Sequence, residues 1–167
     1  MKISIKNSLL IALASIAIYS CTKKQDVGNT STVAMSGEWF IEYFDSTDAS
    51  TPLDHHSKIL TYNTSANDGK QLWLDDPNFW PFKAKMDIDV ANLKFKPSNT
   101  IDILVQAPKP PNNLRVITGK VLPKMGKSKS GNVVDSIYLK VEFLDDDPGV
   151  IYEIRGHART GFFEDEY

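Results

Sequence analysis

Three histidines, one cysteine and two short runs of aspartate are the residues of this 167-residue chain whose types could do chemistry. A hydrolase needs an activated nucleophile or a metal-bound water. Ser136, His157 and Glu153 can be drawn as a nucleophile, a base and its orienting acid. Glu153 lies four residues before His157 on one extended run, roughly 13 Å away at ~3.3 Å per residue. That is too far to hold an imidazole by a hydrogen bond. The row Glu153, Arg155, His157, Arg159 reads instead as the polar outer face of a strand. No Gly-x-Ser-x-Gly elbow is present. His55 and His56, with Asp54, could be imagined as metal ligands, but adjacent loop histidines point different ways and the spacing matches no ligand pattern. Asp75-Asp76 and Asp145-Asp146-Asp147 lack the alternating ligands and distal glutamate of a calcium loop, and turn chemistry explains them. No catalytic set, metal or cofactor is expected, and an enzyme is the weaker reading.

Cys21 is different. Lys2 and Lys6 flank a polar start, and residues 9–18 are almost wholly apolar. That is a charged leader with an apolar stretch too short to span a bilayer. It ends Ile18-Tyr19-Ser20-Cys21, and a small residue before a cysteine here resembles the lipobox of bacterial lipoproteins. Ile18 and Tyr19 fit it loosely, but the chain's single cysteine stands where the lipobox needs it. The resemblance implies that residues 1–20 are a signal peptide, that Cys21 becomes the first residue, and that it carries diacylglycerol and an N-acyl chain. Each buried methylene contributes about 0.8 kcal/mol, so several chains anchor far more firmly than one. The expectation is a protein anchored by lipid to the membrane, in the cell envelope and at the outer membrane, with the face open. Residues 21–35 are polar and read as a flexible tether reaching roughly 20 Å.

Such side chains need a frame, and the pattern of residues 36–167 is that of strands. Phe82, Ala84, Met86, Ile88 and Val90 alternate with Lys83, Lys85, Asp87 and Asp89, which no helical period fits. Aromatic and β-branched residues fill 37–44, and further strands are expected at 57–62, 71–74, 93–96, 101–106 and 114–122. Residues 45–54, 75–78, 107–113 and 123–132 read as breaks or loops, and Asn67-Asp68-Gly69 is a turn signal. The last stretch, 135–167, reads as a hairpin in which Ile137, Leu139, Val141 and Phe143 share a face with Tyr152 and Ile154. Two registers compete there. A tight loop at 146–149 suits Gly149 and sets Lys140 opposite Arg155; a shift by two sets Lys140 opposite Glu153. The turn argument is preferred.

These strands predict an all-β fold, an antiparallel barrel of about eight strands, because closure removes exposed edges. Charged residues at 24% suit a globular domain, and a formal charge of −2 shows no footprint for nucleic acid. The inward positions by alternation are Trp39, Ile41, Tyr43, Phe82, Ala84, Met86, Ile88, Leu139, Val141, Phe143, Tyr152 and Ile154. They are the candidate ligand-binding residues. Ala84 and Met86 at mid-strand would leave room for an apolar small molecule. The competing reading is that all twelve simply fill the core.

Gly37-Glu38-Trp39 is similar to the first-strand motif of lipocalins and other calycins. Together with Tyr62-Asn63-Thr64-Ser65-Ala66-Asn67-Asp68, Leu72-Trp73-Leu74-Asp75-Asp76, Asp135-Ser136-Ile137-Tyr138, Asp145-Asp146-Asp147-Pro148-Gly149 and Gly156-His157-Ala158-Arg159-Thr160-Gly161-Phe162, it resembles a family of bacterial lipoproteins called lipid-binding putative hydrolases, found mainly in the Bacteroidota. The resemblance covers essentially the whole chain after the leader. It implies a lipocalin-like, calycin-type barrel, and brings no catalytic residues with it. Three functions stay open: a lipid-binding protein, an interaction or accessory lipoprotein of an outer-membrane complex, and a hydrolase.

Overall fold

The computed structural model describes residues 29–104, 113–144, 146 and 149–167. Ten strands follow in order: β1 (Gly37–Asp45), β2 (Asp48–Pro52), β3 (Ser57–Asn63), β4 (Gln71–Asp76), β5 (Phe82–Asp89), β6 (Lys94–Phe95), β7 (Ser98–Ile101), β8 (Asn113–Lys127), β9 (Val133–Phe143) and β10 (Tyr152–Ala158). Every pairing is antiparallel. The sheet runs β10-β9-β8-β6-β5-β4-β3-β1 and closes on itself where β1 pairs with β10. That ring is a closed eight-stranded barrel; β2 hangs on β1 and β7 on β8. Closure satisfies the last free ladder, from Trp39 opposite Ala158 to Asp45 opposite Tyr152. The seam is tight: a Cβ on Gly156 would lie 2.2 Å from the Phe40 carbonyl oxygen, so only glycine fits there.

Alternation sorts the side chains as expected. All twelve inward candidates belong to one buried cluster, joined by Met35, Ile59, Leu72, Leu74, Phe95, Leu114, Val116, Val121 and Ile137. At ~25 cal/mol per Å² of apolar area removed from water, such a cluster is the main force holding the barrel. The outer rows carry the ion pairs. Lys83 reaches Asp75 at 3.2 Å, and Lys140 reaches Glu153 at 3.0 Å.

Several local expectations are corrected. The closing hairpin takes the other register, with Lys140 opposite Glu153. Gly149 does adopt a positive φ, 87°, but the loop is longer. Its Glu142 is buried, pairs with Arg115 across on β8, and accepts the Gly149 N–H at 3.0 Å, so it is not left facing Glu153. The stretch 45–54 contains β2, whose exposed polar residues hide a strand from any hydrophobic pattern. β8 runs on through Pro123 to Lys127 by way of a bulge, with Lys124 at φ 57°. Asp75 and Asp76 end β4 rather than break it. Of the strand expected at 101–106, Ile101 ends β7 and residues 102–104 lie beyond it, while residues 105 and 106 lie outside the described residues. The end of the expected tether is not free: Val33–Met35 form a short 3-10 turn, and Met35 is fully buried in the core. The leader, Cys21, most of the proline-rich loop at 107–113, and Asp145 and Asp147 lie outside the described residues.

Candidate functional site

The two ends of the barrel are built differently, and the difference locates the candidate site. At one end β1 begins, and the Trp39 indole N–H donates to Thr61 Oγ1 at 2.8 Å. That hydroxyl donates in turn to the Met35 carbonyl at 2.7 Å. A buried tryptophan with its polar atom satisfied inside the strand layer seals this end.

At the other end β1, β4 and β9 finish and β5 and β10 begin. Here the connection 77–81 between β4 and β5 carries Phe79 and Trp80 across the opening. Trp80 stacks on Phe143 with ring centres 4.1 Å apart and planes 11° apart. Tyr152 meets it edge-on at 4.8 Å, and Tyr43 lies at 6.2 Å. Phe82 adds an edge contact to Phe143 at 5.5 Å. Leu53, Phe79, Leu104 and Leu144 stand exposed around this end. The result is an aromatic plug on a loop with an apolar rim.

One carboxylate holds the loop. Asp76, fully buried at the end of β4, accepts the Tyr43 hydroxyl at 2.6 Å, the Asn78 N–H at 2.7 Å and the Trp80 N–H at 3.3 Å. Burial raises the Asp76 pKa above the ordinary carboxylate value, against the pull of those hydrogen bonds. The Tyr43 phenol is pushed well above its usual value, by burial first and by the Asp76 charge second. Asp102 sits at the adjacent edge. Its Oδ1 accepts the N–H groups of Lys83 and Leu104 at 2.8 and 2.9 Å, while Oδ2 is buried with no partner among the described residues. An apolar barrel interior with one hydrogen-bonding pair at its mouth is the chemistry that suits a largely apolar molecule carrying one polar group.

The chain matches, over residues 24–163, the family described as "lipid-binding putative hydrolase". It belongs to that family. No curated protein matches it.

In this member of the lipid-binding putative hydrolase family, Ser136, His157 and Glu153 each have partners of their own. Ser136 does stand opposite His157 across β9 and β10. Its hydroxyl, however, donates to the Gly156 carbonyl at 2.6 Å. The His157 ring instead meets the Ala158 carbonyl at 3.2 Å and the Tyr167 hydroxyl at 3.3 Å. Glu153 is taken by Lys140 and Arg155, with Arg155 the larger cause of its lowered pKa. The three do not form a relay. His55 pairs with Glu42 at 3.3 Å, while His56 stacks on Tyr167 with ring centres 3.6 Å apart. Burial there depresses the His56 pKa. Asp75 and Asp76 point to opposite sides of β4, one to Tyr62 and Lys83 outside and one to Tyr43 inside. Among the described residues no group of three or more His, Cys, Asp or Glu could hold a metal.

The sequence-derived set of inward residues therefore contains Tyr43, Phe82, Phe143 and Tyr152 of this mouth, and misses Trp80 and Asp76. Trp80 stands between a turn and a proline, outside any period. Asp76 carried a usable signal: an aspartate two residues before asparagine in a proline turn is the pattern of a side chain that caps its own loop.

Proposed function

We propose that this protein is a membrane-tethered lipid-binding protein whose barrel takes a lipid or similar apolar molecule through the aromatic end. The observation that carries this is the contrast in closure. Trp39 seals its end from within a strand, whereas Trp80 covers the other end from a loop held chiefly by Asp76. Displacing Trp80 from Phe143 would open a path to Ala84 and Met86, the smallest and the most adaptable of the inward candidates. An eight-stranded barrel has room either for its own side chains or for one small ligand, so the plug must move for binding. Membership of a family described as lipid-binding supports the same reading. The tether is the acylated Cys21, which places the protein in the cell envelope, at the outer membrane. Fractionation of the Cys21→Ala variant tests that part; an unchanged membrane pool refutes it.

Binding is tested with a fluorescent fatty acid. The wild type should bind it, and Ala84→Trp, with its fold verified, should bind at least about tenfold more weakly, a loss of ~1.4 kcal/mol. Equal binding by the folded variant, or none by the wild type, overturns the proposal.

One feature favours an accessory role in a protein complex as the second reading. A groove of about 370 Å³ on the outer wall is lined by Gln71, Trp73, Lys85, Asp87 and Ile101. Lys83 and Lys85 lie over the Trp73 ring at 5.5 and 5.1 Å. A stable partner retained through mild detergent extraction, and lost in Trp73→Ala, would support that reading.

A further inference from the structure

The β8–β9 hairpin and the C-terminal segment form a layer laid against the barrel, and what that layer exposes is unusual. β8 bends at its bulge, where the Lys124 N–H donates to Asp135 Oδ1 at 2.8 Å. It then packs on β10 so closely that a Cβ on Gly126 would lie 2.9 Å from the His157 Cβ. Its tip is clasped to the chain end. The Ser130 N–H donates to Asp165 Oδ1 at 2.7 Å, Thr160 Oγ1 donates to Asp165 Oδ2 at 2.7 Å, and the Lys129 ammonium donates to the Glu166 carbonyl at 2.6 Å. Two otherwise separate segments thus become one surface.

That surface exposes four large apolar side chains: Met125 at 73%, Val133 at 63%, Phe162 at 60% and Phe163 at 93%. Lys124 and Lys127 share the hairpin with Met125, and residues 120–134 contain four lysines and one proline but no acid. Of the three acids in the tail, Asp165 is buried within the layer, Glu166 pairs with Arg159 at 2.6 Å, and Glu164 is exposed. Exposed bulky apolar groups beside lysines are what an interfacial surface presents to lipid: the apolar groups enter the acyl boundary while the cations meet anionic headgroups.

The course of the chain favours the same occupant. The described chain begins at this end: Ser31 donates its N–H to Asn67 in the β3–β4 turn at 2.8 Å, and the Arg159 N–H donates to the Glu38 carbonyl at the start of β1 at 2.8 Å. Cys21 precedes Asn29 by eight residues, which span at most roughly 28 Å at ~3.5 Å each. We propose that the hairpin-and-tail layer rests on an anionic lipid surface. The inference builds on the Cys21 anchor in the proposed function, and adds the face that meets the bilayer.

The test uses the full acylated protein on vesicles of phosphatidylethanolamine with a minority of phosphatidylglycerol. Met125→Cys and, from the opposite end, Leu144→Cys are labelled with a fluorophore; acylated Cys21 offers no competing thiol, and unlabelled wild type verifies this. Nitroxide lipids should quench the label at position 125 at least about twofold more than that at 144, as expected for side chains entering the headgroup boundary. F162S with F163S should reduce quenching at 125 while the protein stays on the vesicles. Protein that floats with the vesicles but is quenched equally at both positions overturns the docking face and leaves the anchor intact. Protein that does not float overturns both.

Discussion

Each end of the barrel carries a tryptophan, and the two are held by different means. Trp39 sits in β1 with its indole N–H satisfied by Thr61, and is 3% exposed. Trp80 sits on a connection, only partly buried, held by ring stacking and by backbone N–H groups aimed at Asp76. A side chain in a strand cannot leave without breaking the ladder around it. One on a short loop can leave by moving the loop, and such loops open at a small fraction of the global unfolding free energy. On the proposed reading the same residue type makes a sealed wall at one end and a gate at the other, and the backbone decides which it is.

The comparison breaks most plainly by truncation. Trp39→Ala should cost about 3–5 kcal/mol, the usual range for a buried aromatic in a packed core. Trp80→Ala should cost about 1–2 kcal/mol, as for a side chain that buries only part of its surface. Urea denaturation measures both, and equal costs would erase the distinction between wall and gate. Next in size is Asp76→Ala, which strands the buried Tyr43 hydroxyl and frees the loop amides, at about 2–3 kcal/mol. Amide exchange should then quicken at Asn78 and Trp80 and leave the Trp39 end unchanged. Thr61→Val breaks the relay from Trp39 to Met35 and should cost about 1–2 kcal/mol, with exchange quickening at Met35 instead.

Acid gives the finest separation. The Asp76 pKa is raised by burial, so the folded state binds its proton more tightly than the unfolded chain. Its contribution falls as pH rises from the ordinary carboxylate value to the raised one, and acidification through that window favours the folded mouth. Asp165 has the opposite sign. Ser130 above all, then Thr160, holds it well below the carboxylate range. The stabilising contribution of the hairpin-and-tail clasp is therefore complete above the ordinary value of 3.8 and declines progressively as pH falls from there toward the much lower folded value. Protection at Ser130 should drop on acidification below about pH 4 while protection at Asn78 holds, and Asp165→Asn should abolish the pH response at Ser130 alone.

How far these features could be read in advance depended on whether a period marked them. The row Phe82, Ala84, Met86, Ile88 was legible because Lys83, Lys85 and Asp87 alternate with it, and an unpaired charge cannot be buried cheaply. Trp39 was legible for the same reason. The hairpin register escapes a local reading because a short-range turn preference stands against one cross-strand pair, while the Arg115–Glu142 pair that relieves Glu142 comes from a third strand. β2 and the far half of β8 carry mostly polar, exposed residues, so no hydrophobic pattern announced them. Met35 reads as tether because the short apolar run Val33-Ala34-Met35 shows no period and has no partner until Thr61 and the barrel floor are folded beneath it. Trp80, the plug itself, acquires its meaning only from the end of β9, more than sixty residues later in the chain, where Phe143 lies against it.

The occupant proposed for the barrel interior, beneath Trp80, is an acyl chain. A fatty acid carrying a photoreactive diazirine at its terminal carbon tests it most directly, by irradiation of the bound protein and peptide mapping. Adducts are expected on inward residues such as Ala84, Met86, Leu139 and Val141, with fewer of them in Ala84→Trp. Adducts confined to the outer wall around Trp73 and Lys85, or none at all, would contradict it.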